Sequence, residues 1–134
     1  IRPEASAAAS LNTTVEDYLR FLVQILRPER SDEFRLTEKT IAEMLTPQVS
    51  VYFTISWGLG WGIQHTSSGN TFWQWGQGGT EQGGGYQAFV EFSKEQGYGI
   101  IILTNSANGL GICEEIITKA IGGEHPAFSD YLNL

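Results

Sequence analysis

The sequence predicts an α+β fold in which an antiparallel β-sheet is flanked by helices. Residues 56–109 contain all four tryptophans and repeatedly alternate apolar with polar residues, which is the two-residue period of β-strands. Short turn sequences separate the segments of this stretch, so consecutive strands are expected to pair with one another. Apolar residues with helical spacing occur before and after the stretch, and they predict helices that pack against the sheet.

Four strands are predicted in this central stretch, at residues 57–63, 71–76, 86–92 and 98–104. Turn sequences at residues 67–70 and 93–97 separate them. The last strand contains Ile-Ile-Ile-Leu and has no polar face, so we expect it to be covered on both sides. Residues 76–85 are rich in glycine and glutamine. Glycines beside large aromatic residues indicate either a backbone that another group approaches closely or a flexible loop.

Two helices are predicted before the sheet. The first begins at Thr14, which forms a capping pair with Asp17, and its apolar face consists of Tyr18, Phe21, Leu22, Ile25 and Leu26. The second begins at Thr37 and has an apolar stripe of Ile41, Met44 and Leu45. Residues 48–55, between this helix and the sheet, are compatible with an irregular strand or a loop.

A third helix is predicted after the sheet, with Ile112, Ile116, Ile117, Ala120 and Ile121 on one face. It ends at Gly122 and Gly123, and the single cysteine, Cys113, is expected to be a buried thiol within it. The chain from His125 onwards is predicted to be a poorly held tail, anchored at most by Phe128, Tyr131 and Leu132.

Composition excludes several classes of function. The net charge of −7 argues against nucleic acid or anionic lipid as a partner. We expect no metal, because His65 and His125 lie far apart in sequence and the cysteine is alone. A phosphate-binding P-loop, a Gly-x-Ser-x-Gly motif and a Ser-x-x-Lys pair do not occur, and no cofactor is expected. Tyr131-Leu132-Asn133 matches Tyr-x-Asn but falls in the predicted tail, so the chain alone contains no convincing nucleophile and base.

Five segments, in this order along the chain, resemble the C-terminal part of the serine β-lactamase-like family, which includes class C β-lactamases, D,D-peptidases and related esterases. Trp-Gly-Leu-Gly-Trp is similar to the family's Tyr-Gly-Leu-Gly-Trp strand, and Phe-Trp-Gln-Trp-Gly is similar to the strand of its third catalytic motif. The matching segments are Thr-Thr-Val-Glu-Asp-Tyr-Leu-Arg-Phe at 13–21, Leu-Thr-Pro-Gln at 45–48, the two strands at 57–61 and 72–76, and Leu-Thr-Asn-Ser-Ala-Asn-Gly at 103–109.

The resemblance implies a serine that attacks a β-lactam, peptide or ester and forms an acyl-enzyme, with a Lys and a Tyr managing the protons. The third motif of the family, Lys-Thr-Gly or His-x-Gly, lies on a sheet-edge strand whose backbone can bind substrate. Here glutamine replaces its basic residue in both possible registers, Gln74-Trp75-Gly76 and Gln77-Gly78-Gly79. Asn105 and Asn108 are either part of the substrate rim or ordinary turn residues.

The resemblance also implies that residues 1–134 are the C-terminal portion of one domain, whose Ser-x-x-Lys part lies in an upstream segment. That segment would be the partner that supplies the nucleophile for a small-molecule or peptide substrate, and the location would be periplasmic, secreted or in the cell envelope. Two alternatives remain open. The chain is a non-catalytic module of the same fold that binds peptidoglycan or peptides, or an unrelated domain that stacks sugars on Trp57, Trp61, Trp73 or Trp75.

Overall fold

A computed structural model describes residue 6 and residues 10–29, 35–79 and 85–133. Helix α1 covers Val15–Leu26, α2 covers Glu38–Met44, α3 covers Leu110–Ile121, and a π-helix covers Ala127–Leu132. The strands are β1 (Val49–Ser50), β2 (Ile55–Trp57), β3 (Gly62–Thr66), β4 (Gly69–Gly78), β5 (Tyr86–Ser93) and β6 (Tyr98–Thr104).

The strands form one antiparallel sheet in the order β1-β2-β3-β4-β5-β6, which confirms the predicted meander and α+β class. The sheet has six strands in the described part of the chain, where four were predicted. Residues 48–55, left open by the sequence, contain β1, a loop and the start of β2. Strand β6 has the predicted bounds, whereas β4 is longer than predicted at both ends.

The predicted single strand at residues 57–63 is wrong. Strand β2 ends at Trp57, and a turn in which Gly58 N donates to the carbonyl oxygen of Trp61 at 2.8 Å leads into β3. Gly60 adopts a φ of 81° there, a conformation that residues with a side chain rarely adopt. The apolar alternation continues through this turn, so a period of two could not distinguish one strand from the two halves of a hairpin.

Helices cover both faces of the sheet and create two hydrophobic clusters. On one face, Leu22 and Ile25 of α1 and Ile41 of α2 are buried against the sheet. On the other, Cys113 and Ile117 of α3 pack with buried residues of the sheet and the π-helix. Strand β6 is covered on both sides as predicted, since Ile101 packs in the first cluster and Ile100 and Ile102 in the second.

The predicted helix starts are confirmed, but two predicted apolar faces are partly wrong. Thr14 and Thr37 accept hydrogen bonds from the backbone N–H groups of Asp17 and Thr40. Phe21, assigned to the buried face of α1, is 45% exposed. In α3 the buried residues are Leu110, Cys113 and Ile117, while Ile112 and Ile116 are exposed. On each helix, the stripe that contacts the sheet is narrower than the apolar face.

The predicted loose tail is also wrong. His125 and Phe128 are buried, and the backbone N–H of Ala127 donates to the Gln64 side chain at 2.6 Å. The residues after α3 therefore form part of the second hydrophobic cluster. No helix in the described residues has the length and apolar character needed to cross a membrane.

Candidate functional site

A pocket of about 310 Å³ lies where the end of β4 meets the start of α3. Strands β4 and β5 supply one wall, the segment leading into α3 supplies another, and the π-helix closes a third side. No lining residue within the described part of the chain has a charged side chain. The residues that line the pocket are Trp75, Gln77, Gln87, Ala107, Asn108, Leu110, Gly111 and Leu132.

The end of β4 beside this pocket is an open strand edge as far as the described residues extend. Pairing between β3 and β4 stops at Gly62 and Trp73, whereas pairing between β4 and β5 continues to Gly78 and Tyr86. Thr104 Oγ1 donates to the carbonyl oxygen of Gln87 at 3.1 Å, so the polar backbone groups of Gln87 face β6. Its partner Gln77 therefore directs its own backbone N–H and C=O to the unpaired side, because polar groups alternate along a strand.

The side chains of Gln77 and Gln87 meet across the strands at the pocket. Gln87 Oε1 accepts a hydrogen bond from the backbone N–H of Leu110 at 2.7 Å, and Gln87 Nε2 lies 3.4 Å from Gln77 Oε1. Gln87 is 7% exposed and Gln77 is exposed. A buried glutamine thus connects the first residue of α3 to a side chain at the pocket mouth.

A family model described as Beta-lactamase matches residues 1–115. The chain belongs to the β-lactamase family. The six-stranded antiparallel sheet with helices on both faces agrees with that membership. None of the curated proteins matches the chain.

Of the β-lactamase-family candidates chosen from the sequence, Trp75, Gln77 and Asn108 line the pocket. Gln74 points elsewhere, because its Nε2 donates to the carbonyl oxygen of Gly60 at 3.0 Å and its Oε1 accepts from the Trp75 N–H at 2.9 Å. The Nε2 end of that amide ties the β2–β3 turn to β4, and the Oε1 end bonds within β4 itself.

The remaining candidates do not line the pocket. A Cβ on Gly78 would stand 2.4 Å from the Tyr86 hydroxyl, so an aromatic ring is what approaches this glycine backbone. Gly79 has a φ of 69° and follows β4, whereas Gly76 has open space around its Cβ position. Asn105 is exposed after β6. Residues 80–84 of the predicted glycine-rich segment lie outside the described residues.

Sequence reasoning missed Gln87 as a site residue. In the sequence it is one of the residues that alternate with Tyr86, Ala88, Val90 and Phe92 in the third predicted strand. The signal that could have identified it is the strand face on which it lies. Gln87, Phe89 and Glu91 lie on one side of β5, and all three are buried beneath α3 and the π-helix. A glutamine on a covered strand face must satisfy its amide with neighbouring polar groups.

A buried polar network lies under the π-helix at the other end of the same sheet face. The Glu91 carboxylate is fully buried and accepts from Gln64 Nε2 at 3.0 Å and from the Tyr98 hydroxyl at 3.0 Å. His125 Nδ1 lies 3.1 Å from both carboxylate oxygens, and Nε2 lies 3.1 Å from the Gly122 carbonyl oxygen. The network joins β3, β5 and β6 to the chain after α3.

The pKa values of this network follow from burial and from Glu91. Burial lowers the pKa of His125, but the hydrogen bond and negative charge of Glu91 outweigh it, so the pKa is raised overall. Burial, followed by the charge and hydrogen bond of Glu91, raises the pKa of Tyr98. Burial also raises the pKa of the Cys113 thiol, whose Sγ donates to the Gly109 carbonyl oxygen at 3.3 Å. A raised thiol pKa is unfavourable for a nucleophile.

Two further observations concern possible metal ligands and the tryptophans considered for sugar stacking. Across residue 6 and residues 10–29, 35–79 and 85–133, no three His, Cys, Asp or Glu side chains are grouped to hold a metal ion. Trp61 and Trp73 are buried in the two clusters and offer no ring face for stacking a sugar. Trp57 and Trp73 contact Tyr131, so the Tyr-x-Asn match supplies a packing residue.

Proposed function

We propose that this chain is the substrate-side C-terminal portion of a serine hydrolase that acts through an acyl-enzyme on a β-lactam, peptide or ester. An upstream segment of the same protein supplies the serine nucleophile, and the chain is inactive without it. The observation that carries the proposal is the open edge of β4 at Gln77, which borders the pocket that the Gln77 side chain lines. Family membership supports the same hydrolase-like fold.

In this proposal the third motif is Gln77-Gly78-Gly79. The backbone N–H and C=O of Gln77 bind an extended substrate in the manner of an added strand, which holds the scissile carbonyl in one orientation. The Gln77 side chain provides a hydrogen-bond donor but no charge, in place of the basic residue of the family motif. Asn108 and Trp75 border the same substrate position. The protein acts outside the cytoplasm, in the periplasm, the envelope or the medium.

The test uses the protein that includes the upstream segment. Incubation with a fluorophosphonate or a labelled penicillin, followed by mass spectrometry, is expected to find one adduct on an upstream serine that precedes a lysine by three positions. Replacement of Gln77 by Ala is expected to lower the acylation rate constant at subsaturating substrate by about 10- to 100-fold, because one positioned donor is lost. The free energy of unfolding is expected to change little, since this side chain is exposed.

Gln74→Ala is the comparison variant. It removes an amide that ties a turn to β4, so it is expected to lower stability by about 1 kcal/mol and acylation less than Gln77→Ala does. A larger loss of acylation in Gln74→Ala than in Gln77→Ala would assign the third motif to Gln74-Trp75-Gly76. An intact protein with no serine adduct would contradict the hydrolase proposal.

The second candidate is a module of the same fold that binds peptides or peptidoglycan fragments without turnover. The uncharged lining of the pocket favours it, because glutamine cannot perform the electrostatic task of a lysine or a protonated histidine. A peptide that shifts the backbone amide resonances of Trp75 and Gln77, in a protein that forms no adduct, would establish this alternative. Binding without shifts at those residues would contradict it.

A further inference from the structure

We propose that Gln87 is a positioning residue that fixes the direction of the Gln77 amide, so that the pocket offers a hydrogen-bond donor and selects a neutral acceptor group in its ligand. This inference rests on the proposed function in one respect, namely that the pocket is the site where the ligand binds. It concerns the buried glutamine between β5 and α3, together with its partner at the pocket mouth.

The direction of the Gln87 amide follows from its contact with α3. The backbone N–H of Leu110 can only donate, so the Gln87 atom 2.7 Å away must be the acceptor Oε1. The other end of the amide is then Nε2, which can only donate. A buried glutamine held in this way has no second orientation, because turning it would place two donors against each other.

The direction of Gln77 follows in turn. Gln87 Nε2 lies 3.4 Å from the Gln77 amide, which must therefore present Oε1 to it. The Nε2 group of Gln77, which has no partner within the described residues, is left for a ligand. A backbone N–H at the start of α3 thus sets the polarity of a side chain on β4 through two consecutive amides.

The ligand chemistry follows from this polarity. A free Nε2 group binds an acceptor such as the carbonyl oxygen of an amide, ester or lactam, and it does not bind a donor. No described lining residue supplies a cation, so a carboxylate would give up its hydration without gaining an ion pair. Trp75 and Leu132 provide apolar contact for the rest of a ligand that fits a pocket of about 310 Å³.

The experiment measures the affinity of the full chain for three probes by following the backbone amide resonances of Trp75 and Gly111, which line the pocket, in 15N-labelled protein. The probes are N,N-dimethylbenzamide, which only accepts, aniline, whose amino group donates, and benzoate, a charged acceptor. We expect N,N-dimethylbenzamide to bind at least about 10-fold more tightly than either of the others, which corresponds to about 1.4 kcal/mol. Equal affinities for N,N-dimethylbenzamide and aniline would overturn the proposal.

Gln87→Glu is the decisive variant, because the introduced carboxylate still accepts from Leu110 N–H. When ionised it cannot donate to Gln77, so Gln77 turns its Nε2 towards that carboxylate and offers Oε1 to the ligand. The preference is then expected to reverse in favour of aniline. Protonation of the introduced carboxylate at lower pH restores a donor and is expected to restore the original preference. A structural role alone would not make the preference depend on pH in this way.

Two further variants keep the proposal falsifiable. Gln77→Glu changes an exposed side chain, so it is expected to fold even if Gln87→Glu does not. Its carboxylate offers only acceptor atoms, so the preference for N,N-dimethylbenzamide is expected to be lost. Gln96→Glu adds the same charge in the β5–β6 turn and is expected to leave all three affinities unchanged. Retention of the preference in Gln77→Glu would overturn the proposal. The probes need no nucleophile, so these results are independent of the adduct experiment.

Discussion

At the scale of single residues, paired polar groups permit an acidic side chain to be buried. The Glu91 carboxylate is fully buried on the same face as Trp73 and Phe89. An unpaired carboxylate there would be prohibitively costly, but Gln64, Tyr98 and His125 all direct polar atoms to it. The same logic, with neutral amides, holds Gln87 beneath the start of α3.

The first prediction concerns Glu91. Glu91→Gln keeps the side-chain size but removes the charge and places one donor against neighbouring donors, so we expect a loss of about 3 kcal/mol in the free energy of unfolding. Urea denaturation near neutral pH measures it. Glu95→Gln, at an exposed position in the following turn, is expected to change the free energy of unfolding by less than about 0.5 kcal/mol. Equal effects of the two substitutions would show that the buried network does not contribute to stability.

At the scale of elements, one glycine of the sheet leaves the space that an aromatic ring occupies. Gly62 of β3 lies opposite Trp73 of β4, and a Cβ on Gly62 would stand 2.4 to 2.8 Å from three atoms of the indole. The ring covers the glycine backbone because no side chain occupies that place. The group that approaches the Gly62 backbone thus belongs to the protein's own core.

The second prediction compares two glycines of the sheet. Gly62→Ala is expected to destabilise the fold by about 1–3 kcal/mol, because Trp73 is buried on all sides and cannot move away. Gly76→Ala, with no atom within 4 Å of the added Cβ, is expected to be neutral or slightly stabilising. Thermal unfolding followed by near-ultraviolet circular dichroism measures both. A destabilisation by Gly76→Ala as large as that by Gly62→Ala would contradict this explanation.

At the scale of the whole molecule, the segment after α3 completes the second hydrophobic cluster. Phe128 packs against Phe89 with ring centroids 4.5 Å apart, and Tyr131 lies 5.2 Å from Trp73. His125 and Ala127 add hydrogen bonds to the sheet. The π-helix also supplies Leu132 to the pocket, so its docking and the shape of the candidate site are coupled.

The third prediction is that docking of the π-helix weakens as the pH rises. The pKa of His125 is raised above its ordinary value of 6.5 in the folded protein. Stability from the protonated histidine is therefore complete below pH 6.5 and is lost as the pH passes through the raised pKa. Glu91 faces His125 from the sheet, and its carboxylate also accepts from Gln64 and Tyr98. The charge of Glu114 on α3 also favours protonation.

Amide hydrogen exchange, corrected for the intrinsic effect of pH, measures this docking. The exchange protection of residues 127–132 is expected to fall as the pH rises above 6.5 and passes through the raised pKa of His125, while protection in β4 changes less. His125→Gln cannot titrate and is expected to remove the pH dependence. Protection that is constant with pH in the unmodified protein would contradict a contribution from the protonated histidine.

Local signals in the sequence were sufficient for the helix starts at Thr14 and Thr37, the bounds of β6, and the antiparallel α+β class. Each depends on neighbouring residues: a capping side chain three positions from its donor, or a continuous apolar run between turns. The family resemblance also came from ordered local segments, and a family match over residues 1–115 confirms it. Candidate pocket residues such as Trp75, Gln77 and Asn108 could be named for the same reason.

Only the tertiary structure decided which side of each element is buried and which side chains meet. The turn at Gly58–Trp61 is hidden inside an alternating pattern, and Ile112 and Ile116 are exposed because the sheet contacts a different stripe of α3. His125 and Glu91, and likewise Gln87 and Leu110, are distant in sequence but adjacent in space. The sequence determined where the three α-helices and β6 form, because those preferences are local. Contacts between distant elements created the buried network and the pocket.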